Sequence, residues 1–191
     1  MINQAVPQQA KEKMGIEGFY QFFSLPKNIS QNSKLIEKLR LHVRNKENLN
    51  IGALIKSGAI LSHKTAHNLI PATGLNVVAR RLAGETTYSL EVDYGALGSG
   101  SSAFTGASTQ LNTEVYRKQA ASQAYDANIS YIDWFIESGD VADQTFEEFG
   151  AFIDGSGSAN SGQAWSLLIT GGWVKSGSIF ISAAYTMTSV N

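Results

Sequence analysis

The sequence predicts a mainly β protein, an antiparallel β-sandwich or jelly-roll-like domain with one short α-helix at about residues 74–83 and an N-terminal arm. Three observations carry that prediction. Stretches at 124–137, 145–153, 164–170 and 178–190 are β in character and are separated by Ser-Gly-Asp, Asp-Gly-Ser-Gly and Gly-Gly turn signals. Within the last of them Ile179, Ile181, Ala183, Tyr185 and Met187 alternate strictly, as a strand with one buried face does. The clearest helical spacing is that of Leu75, Val78, Ala79 and Leu82, with Thr73 placed to cap the start and Gly84 to end it, so these four are expected to form the buried face of a helix laid across a sheet. Long strands with turns between them suit the Greek-key connections of sandwiches.

Taken in order, residues 1–30 read as an arm or extension and 31–191 as the sandwich domain. Residues 1–18 are weakly patterned; Phe19, Tyr20, Phe22, Phe23 and Leu25 then arrive together before Pro26. That aromatic cluster either packs on the chain's own core or anchors the arm on a neighbouring subunit, and Phe19, Tyr20, Phe22 and Phe23 are the candidate anchors. Leu39, Leu41 and Val43 alternate with Lys38, Arg40, His42 and Arg44, which predicts a one-sided strand, and a polar turn at 45–48 leads to a hairpin partner at 51–61. After the helix, Tyr88-Ser-Leu-Glu-Val-Asp-Tyr94 alternates like a strand, 95–108 reads as a Ser/Gly loop, and 109–117 as a short helical stretch or turn.

Composition narrows the chemistry. Charged residues are 16% of the chain and the net charge is −1, against about 25% charged in an average soluble protein. Nothing forecasts a nucleic-acid partner: the most basic stretch, 34–44, reads as a strand face. There is no cysteine, which removes disulfides, thiolate metal sites and thiol nucleophiles. The N-terminal residues lack a secretory pattern and no apolar run approaches the ~20 residues of a membrane span, so no membrane partner is expected and the chain is expected to stay soluble in a cytoplasm.

No reaction is called for by the remaining motifs. Gly98-Ser-Gly100-Ser-Ser-Ala103 matches a dinucleotide fingerprint in letters but precedes no apolar helix. His63 and His67 have a metal spacing only on a helix, and their neighbours read as a strand end and turn. Asp126, Asp133, Asp140, Asp143, Glu147, Glu148 and Asp154 lack the alternation of a calcium loop and read as solvated turns and strand edges. No Ser/His/Asp order or Gly-x-Ser-x-Gly elbow is present. Glu114 and Arg117 read as a surface ion pair. No catalytic residue, metal or cofactor is therefore expected. Trp134, Trp165 and Trp173 fit either a core or a sugar-stacking platform.

The succession His67-Asn-Leu-Ile70, Gly74-Leu-Asn-Val-Val-Ala-Arg-Arg-Leu-Ala-Gly84, Tyr94-Gly-Ala-Leu-Gly-Ser-Gly100 and Thr109-Gln-Leu-Asn-Thr-Glu-Val-Tyr-Arg117 resembles structural proteins of tailed-bacteriophage virions. In that group an Asn-Leu-Ile, Gly, helix, strand, Gly-x-Gly loop and Leu-x-x-Glu-x-x-Arg order recurs in tail, fibre-base and neck components, and here it spans about 68–117. The resemblance implies a non-enzymatic virion protein, assembled in the host cytoplasm, that self-associates as a homo-oligomer and docks to tail, fibre or collar proteins. A carbohydrate- or receptor-binding module at a fibre tip and a capsid decoration protein are the alternatives; a sugar binder exposes at least one Trp, whereas a structural subunit buries all three.

Overall fold

A computed structural model describes residues 13–190. Strand β1 (Lys13–Leu25) is followed by helices α1 (Lys34–Val43) and α2 (Ile51–Lys56), strand β2 (Ser62–His67) and helix α3 (Ala72–Leu82). Seven β-strands follow: β3 (Val92–Gly98), β4 (Glu114–Gln119), β5 (Ser122–Asp126), β6 (Ile129–Ile136), β7 (Gln144–Ile153), β8 (Gln163–Lys175) and, after a tight turn, β9 (Ser178–Val190). They form two antiparallel sheets, a five-stranded one in the order β2-β1-β9-β6-β5 and a four-stranded one in the order β4-β3-β7-β8. The mainly β sandwich is as the sequence predicts.

Alternation sorts the side chains into layers. On β1, Tyr20 and Phe22 face the four-stranded sheet, where they join Trp134, Phe149, Trp165, Trp173, Ile181 and Tyr185 in the main core. Phe23 and Leu25 face the other way and, with Tyr131, Phe135 and Phe180, are covered by Ile36, Leu39 and Val43 of α1. The outer face of the four-stranded sheet is covered by the loop between β3 and β4, through Leu111 and the half-buried Phe104. Both sides of the sandwich are sewn shut. On one, Leu69 and Leu167 exchange backbone hydrogen bonds, each 2.9 Å. On the other, the chain passes from β4 into β5, and Ala120 and Ala121 donate to Asp93 and Asp133 in opposite sheets.

Several expectations are corrected. Residues 13–25 of the expected arm are a strand paired with β9 from Lys13↔Val190 to Leu25↔Ser178, so residue 30 marks no boundary; the part of the arm before Lys13 lies outside the described residues. The expected strand at 39–43 is helix α1. Ile36, Leu39 and Val43 lie three and four apart, and Ser33 caps the helix by accepting from the Ile36 amide at 3.3 Å. The hairpin partner expected at 51–61 is α2, capped by Asn50, and the true partner of β1 is β2. Three helices thus stand where one was expected. The stretch at 109–117 enters strand β4 rather than a helix, and the strand expected at 88–94 starts at Val92 and runs on to Gly98. Gly95 belongs inside that strand because a Cβ there would lie 2.9 Å from Trp134 and Phe149.

Candidate docking surface

The five-stranded sheet runs past the end of its partner. The register places Gly18, Tyr185, Ser130 and Tyr125 in one row across β1, β9, β6 and β5, all on the inner face, and Ile16 beside Met187 in the next row out. The four-stranded sheet stops at the level of Val92, Ile153 and Gln163. Trp165, edge-on to Tyr185 with ring centroids 5.6 Å apart, is the last core side chain before the overhang. Beyond it the sandwich has an open mouth.

Helix α3 lies across this mouth. It starts against β8, where Gly74 comes so close that a Cβ would sit 3.0 Å from the Ala164 carbonyl oxygen. Thr73 does not cap the helix but donates its hydroxyl to that same carbonyl at 3.1 Å; Pro71 is the residue before the first turn, and Gly84, at φ 84°, follows the last. The close approach turns Gly74 and Val77 inward. It also turns the expected buried face outward: Leu75 is 50% and Leu82 79% exposed. The three-and-four spacing was real, but its two leucines face away from the chain's own core, while Val78 between them packs partly against it.

A cleft opens on each side of this stripe. One, of about 770 Å³, runs towards His67, Asn68 and Ile70; the other, of about 600 Å³, runs over Trp165 and Ile132 to Leu90, Tyr125 and Met187. Ile16, Val78 and Leu82 line both. The two therefore form one groove crossing the sheet from β2 to β5, roughly 19 Å at ~4.8 Å between strands. Leu75, Leu82, Leu90, Tyr125 and Met187 are all more than a third exposed along it. Soluble monomers rarely expose so much contiguous apolar surface without a use for it. Charge is sparse: Glu17 and Glu91 stand on the rim, while Arg80 pairs with Glu85 and lies 5.0 Å over the Tyr88 ring.

The residues singled out from sequence fall elsewhere. Tyr20, Phe22 and Phe23 have no exposed surface, which corrects their expected use as anchors on a neighbouring subunit. Tyr20 shares hydroxyl hydrogen bonds with Ser166 and Tyr185, Phe22 packs edge-on to Phe149, and Phe23 stacks on His63 and Phe180. Phe19 is half-buried, edge-on to His67 at 5.3 Å. Trp134, Trp165 and Trp173 are buried, each with an unpaired indole nitrogen, so they present no surface platform for a sugar. On strand β2 His63 and His67 stand roughly 13 Å apart along the backbone, beyond one metal ion's reach. His63 is held by Gln21 at 3.1 Å, and burial together with His42 lowers its pKa. Among the described residues no three His, Asp or Glu side chains converge to hold a metal.

Two of the acids read as solvated are buried, which is a further correction. Glu148 lies under the β3–β4 loop and accepts from the backbone amides of Gly100, Asn112 and Thr113 at 3.1, 2.9 and 2.7 Å and from the Asn112 side chain at 3.0 Å. Asp133 lies under α1, accepting from Arg40 and Arg44 at 3.3 Å each and from the Ser182 hydroxyl. Burial raises its pKa more than these three partners lower it.

The Glu114–Arg117 pair is also no surface pair. Residues three apart on a regular strand point to opposite faces, but the register shift opposite Leu97 and Gly98 inserts one residue and brings both to the outer face. There Arg117 donates twice to Glu114, at 2.6 Å each, both side chains are almost wholly buried, and its third nitrogen holds the 156–161 turn through Ser156 and Ser161. Leu111 is buried beside them. The Leu-x-x-Glu-x-x-Arg spacing thus fastens two coverings of this face, Leu111 the β3–β4 loop and Glu114 with Arg117 the 156–161 turn. Only the buried destination, not the pairing, was missing from the sequence.

Compared with family models, curated proteins and solved structures, the chain matches none. Among the described residues no helix is long and apolar enough to cross a membrane.

Proposed function

We propose that this chain is a non-enzymatic structural subunit of a tailed-phage virion, working by docking to copies of itself and to neighbouring tail, fibre or collar proteins. The observation that carries the docking part is the outward apolar stripe of α3 with the open mouth on either side of it. A helix whose apolar stripe faces out, over a groove with few charges, is built to be covered. The burial of all three tryptophans favours this reading over the sugar-binding one. The virion setting rests on the resemblance over 68–117, and the fastening role of Leu111, Glu114 and Arg117 gives that spacing a physical reason to recur in a rigid building block.

The experiment that tests the setting is detection of the chain in density-banded particles from the source culture, by peptide mass spectrometry and by immunogold labelling. Many copies per particle at a fixed position are expected. Banded particles that lack the chain, while the cell lysate contains it, would remove the virion reading and leave the docking surface to be explained by another assembly.

A further inference from the structure

The four edges of the two sheets are not equally protected. An exposed edge offers unpaired backbone N–H and C=O groups to another chain, and proteins blunt such edges with charges, bulges, glycines or coverings. The β2 edge is latched to β8, since Lys64 bonds the Thr170 carbonyl and Leu69 bridges to Leu167. On β8, Gly171 and Gly172 both take left-handed conformations, φ 65° and 77°, and interrupt the strand. β4 carries a bulge and the charged Arg117 and Lys118. β5 has neither glycine nor bulge; it is held through side chains, Gln123 donating to the Val92 carbonyl at 2.9 Å and Ser122 accepting from Arg44 at 3.5 Å, and its outer backbone edge stays open among the described strands.

Its sequence is Ser-Gln-Ala-Tyr-Asp, it pairs only with β6 among the described strands, and its one charge, Asp126, is tied at the strand end to Lys46. Tyr125 is 84% exposed. Because Tyr125 lies opposite Ser130, and Ser130 opposite Tyr185, the ring stands on the inner face of the overhang, at the lip of the 600 Å³ cleft. A large aromatic ring held out on an unprotected edge, beside an apolar cleft, is both a knob and a hole on one surface. That is the requirement for an interface in which the same patch meets itself about a two-fold axis.

We infer that β5 is a homodimerisation edge. Two copies pair their β5 strands antiparallel about a two-fold axis between Gln123 and Tyr125, joining the two five-stranded sheets into one and setting each Tyr125 against the partner's cleft. With the axis at Ala124, Gln123 stands opposite the partner's Tyr125, and both point to the inner face. The apolar area alone falls short of what a stable dimer needs. Leu82, Leu90, Tyr125 and Met187 expose on the order of 500 Å² per copy, and a stable interface needs about 800 Å² from each partner. The strand edge and the polar rim at Gln123 and Glu91 must supply the rest, so the dimer is expected to dissociate on dilution. This inference names the partner and symmetry of the docking surface and rests on reading the chain as an assembling subunit.

The absence of cysteine gives a direct test, because a single introduced thiol can cross-link only to another copy. Gln123→Cys, Ala124→Cys and Tyr125→Cys are oxidised alongside Thr65→Cys on β2, and Tyr125→Lys is weighed against the unmodified chain by sedimentation velocity over a hundredfold concentration range. Directly opposed strand residues have Cα atoms about 4.5–5.5 Å apart, within disulfide reach. At least tenfold more cross-linked dimer is expected at a β5 position than at Thr65→Cys, together with a monomeric Tyr125→Lys whose unfolding midpoint is unchanged. No β5 position rising above the Thr65→Cys control would overturn the inference. If the unmodified chain still self-associates in that case, and Tyr125→Lys does too, the β5 edge is excluded while the assembling-subunit reading stands.

Discussion

The loop over the outer face of the four-stranded sheet and helix α3 over the mouth are both short coverings laid across a sheet, yet they are held in opposite ways. The loop has little apolar area to bury, Leu111 and Phe104, and is fixed by polar pins: four donors converge on Glu148, and Glu114 with Arg117 ties the neighbouring turn. Helix α3 is fixed mainly by apolar contact and close approach, through Gly74, Val77 and the half-buried Val78, with one hydroxyl bond from Thr73, and leaves Leu75 and Leu82 in water. Satisfying a buried polar group needs partners in fixed directions, whereas apolar area is satisfied by any apolar neighbour. The first kind of covering is complete within one chain. The second leaves apolar area uncovered within one chain.

The largest effects are therefore expected on the loop side. Arg117→Ala leaves Glu114 buried without its partner and releases the 156–161 turn, and a loss of about 3–5 kcal/mol is expected from breaking a buried pair on one side only. Urea unfolding measures it; a loss below ~1 kcal/mol would mean that water takes the place of Arg117 and that the pin is not structural. Glu148→Ala strands three backbone amides, and a loss of about 3 kcal/mol is expected, tempered by how readily the loop opens to water. Hydrogen exchange supplies the sharper readout. The amides of Gly100, Asn112 and Thr113 should lose protection in Glu148→Ala while those of β9 keep theirs.

How much of this was legible in the sequence follows from the same contrast. Strands with one buried face announce themselves, as 178–190 does to the residue, and so does the spacing of α3. What spacing cannot give is the direction in which a stripe faces. That depended on Gly74 meeting the Ala164 carbonyl, a contact between residues far apart in the chain. α1 was misread because Leu39, Leu41 and Val43 satisfy a period of two while Ile36, Leu39 and Val43 satisfy a period near 3.6, and Ser33 with Glu37 was the capping signal that decides between them. The aromatic cluster at 19–25 was visible, and only the sheet pairing assigns it to the core. Glu148 and Asp133 carried no local sign of burial, since a carboxylate's donors come from other segments.

Asp133 offers a milder test of polar fixing, with a sign that can be worked out. Its folded pKa is raised, chiefly by burial, against the attraction of Arg40 and Arg44. A raised carboxyl pKa contributes stability that is fully present below the unfolded value, about 3.9, and is lost as pH rises through the folded value. The advantage of the unmodified chain over Asp133→Asn is therefore expected to be larger at pH 4 than at pH 7. At pH 7 the substitution is expected to cost less than about 1 kcal/mol, because the ion pair there works against its own desolvation. An advantage that instead grows from pH 4 to pH 7 would show that the two arginines outweigh burial.

The smallest change in stability is expected at the mouth, and it is the informative one. Leu82→Gln and Leu75→Gln remove apolar side chains that are 79% and 50% exposed, so unfolding free energies should stay within about 0.5 kcal/mol of the unmodified chain. Had the stripe packed on the chain's own core, as its spacing alone suggests, each change would cost about 2 kcal/mol or more. Binding of an apolar dye to the groove should fall in both variants, and more in Leu82→Gln, because Leu82 lines both clefts whereas Leu75 lines one. Unchanged stability with reduced dye binding marks a surface kept apolar for a neighbour. A loss near 2 kcal/mol would instead place α3 within the core, and the contrast between the two coverings would disappear.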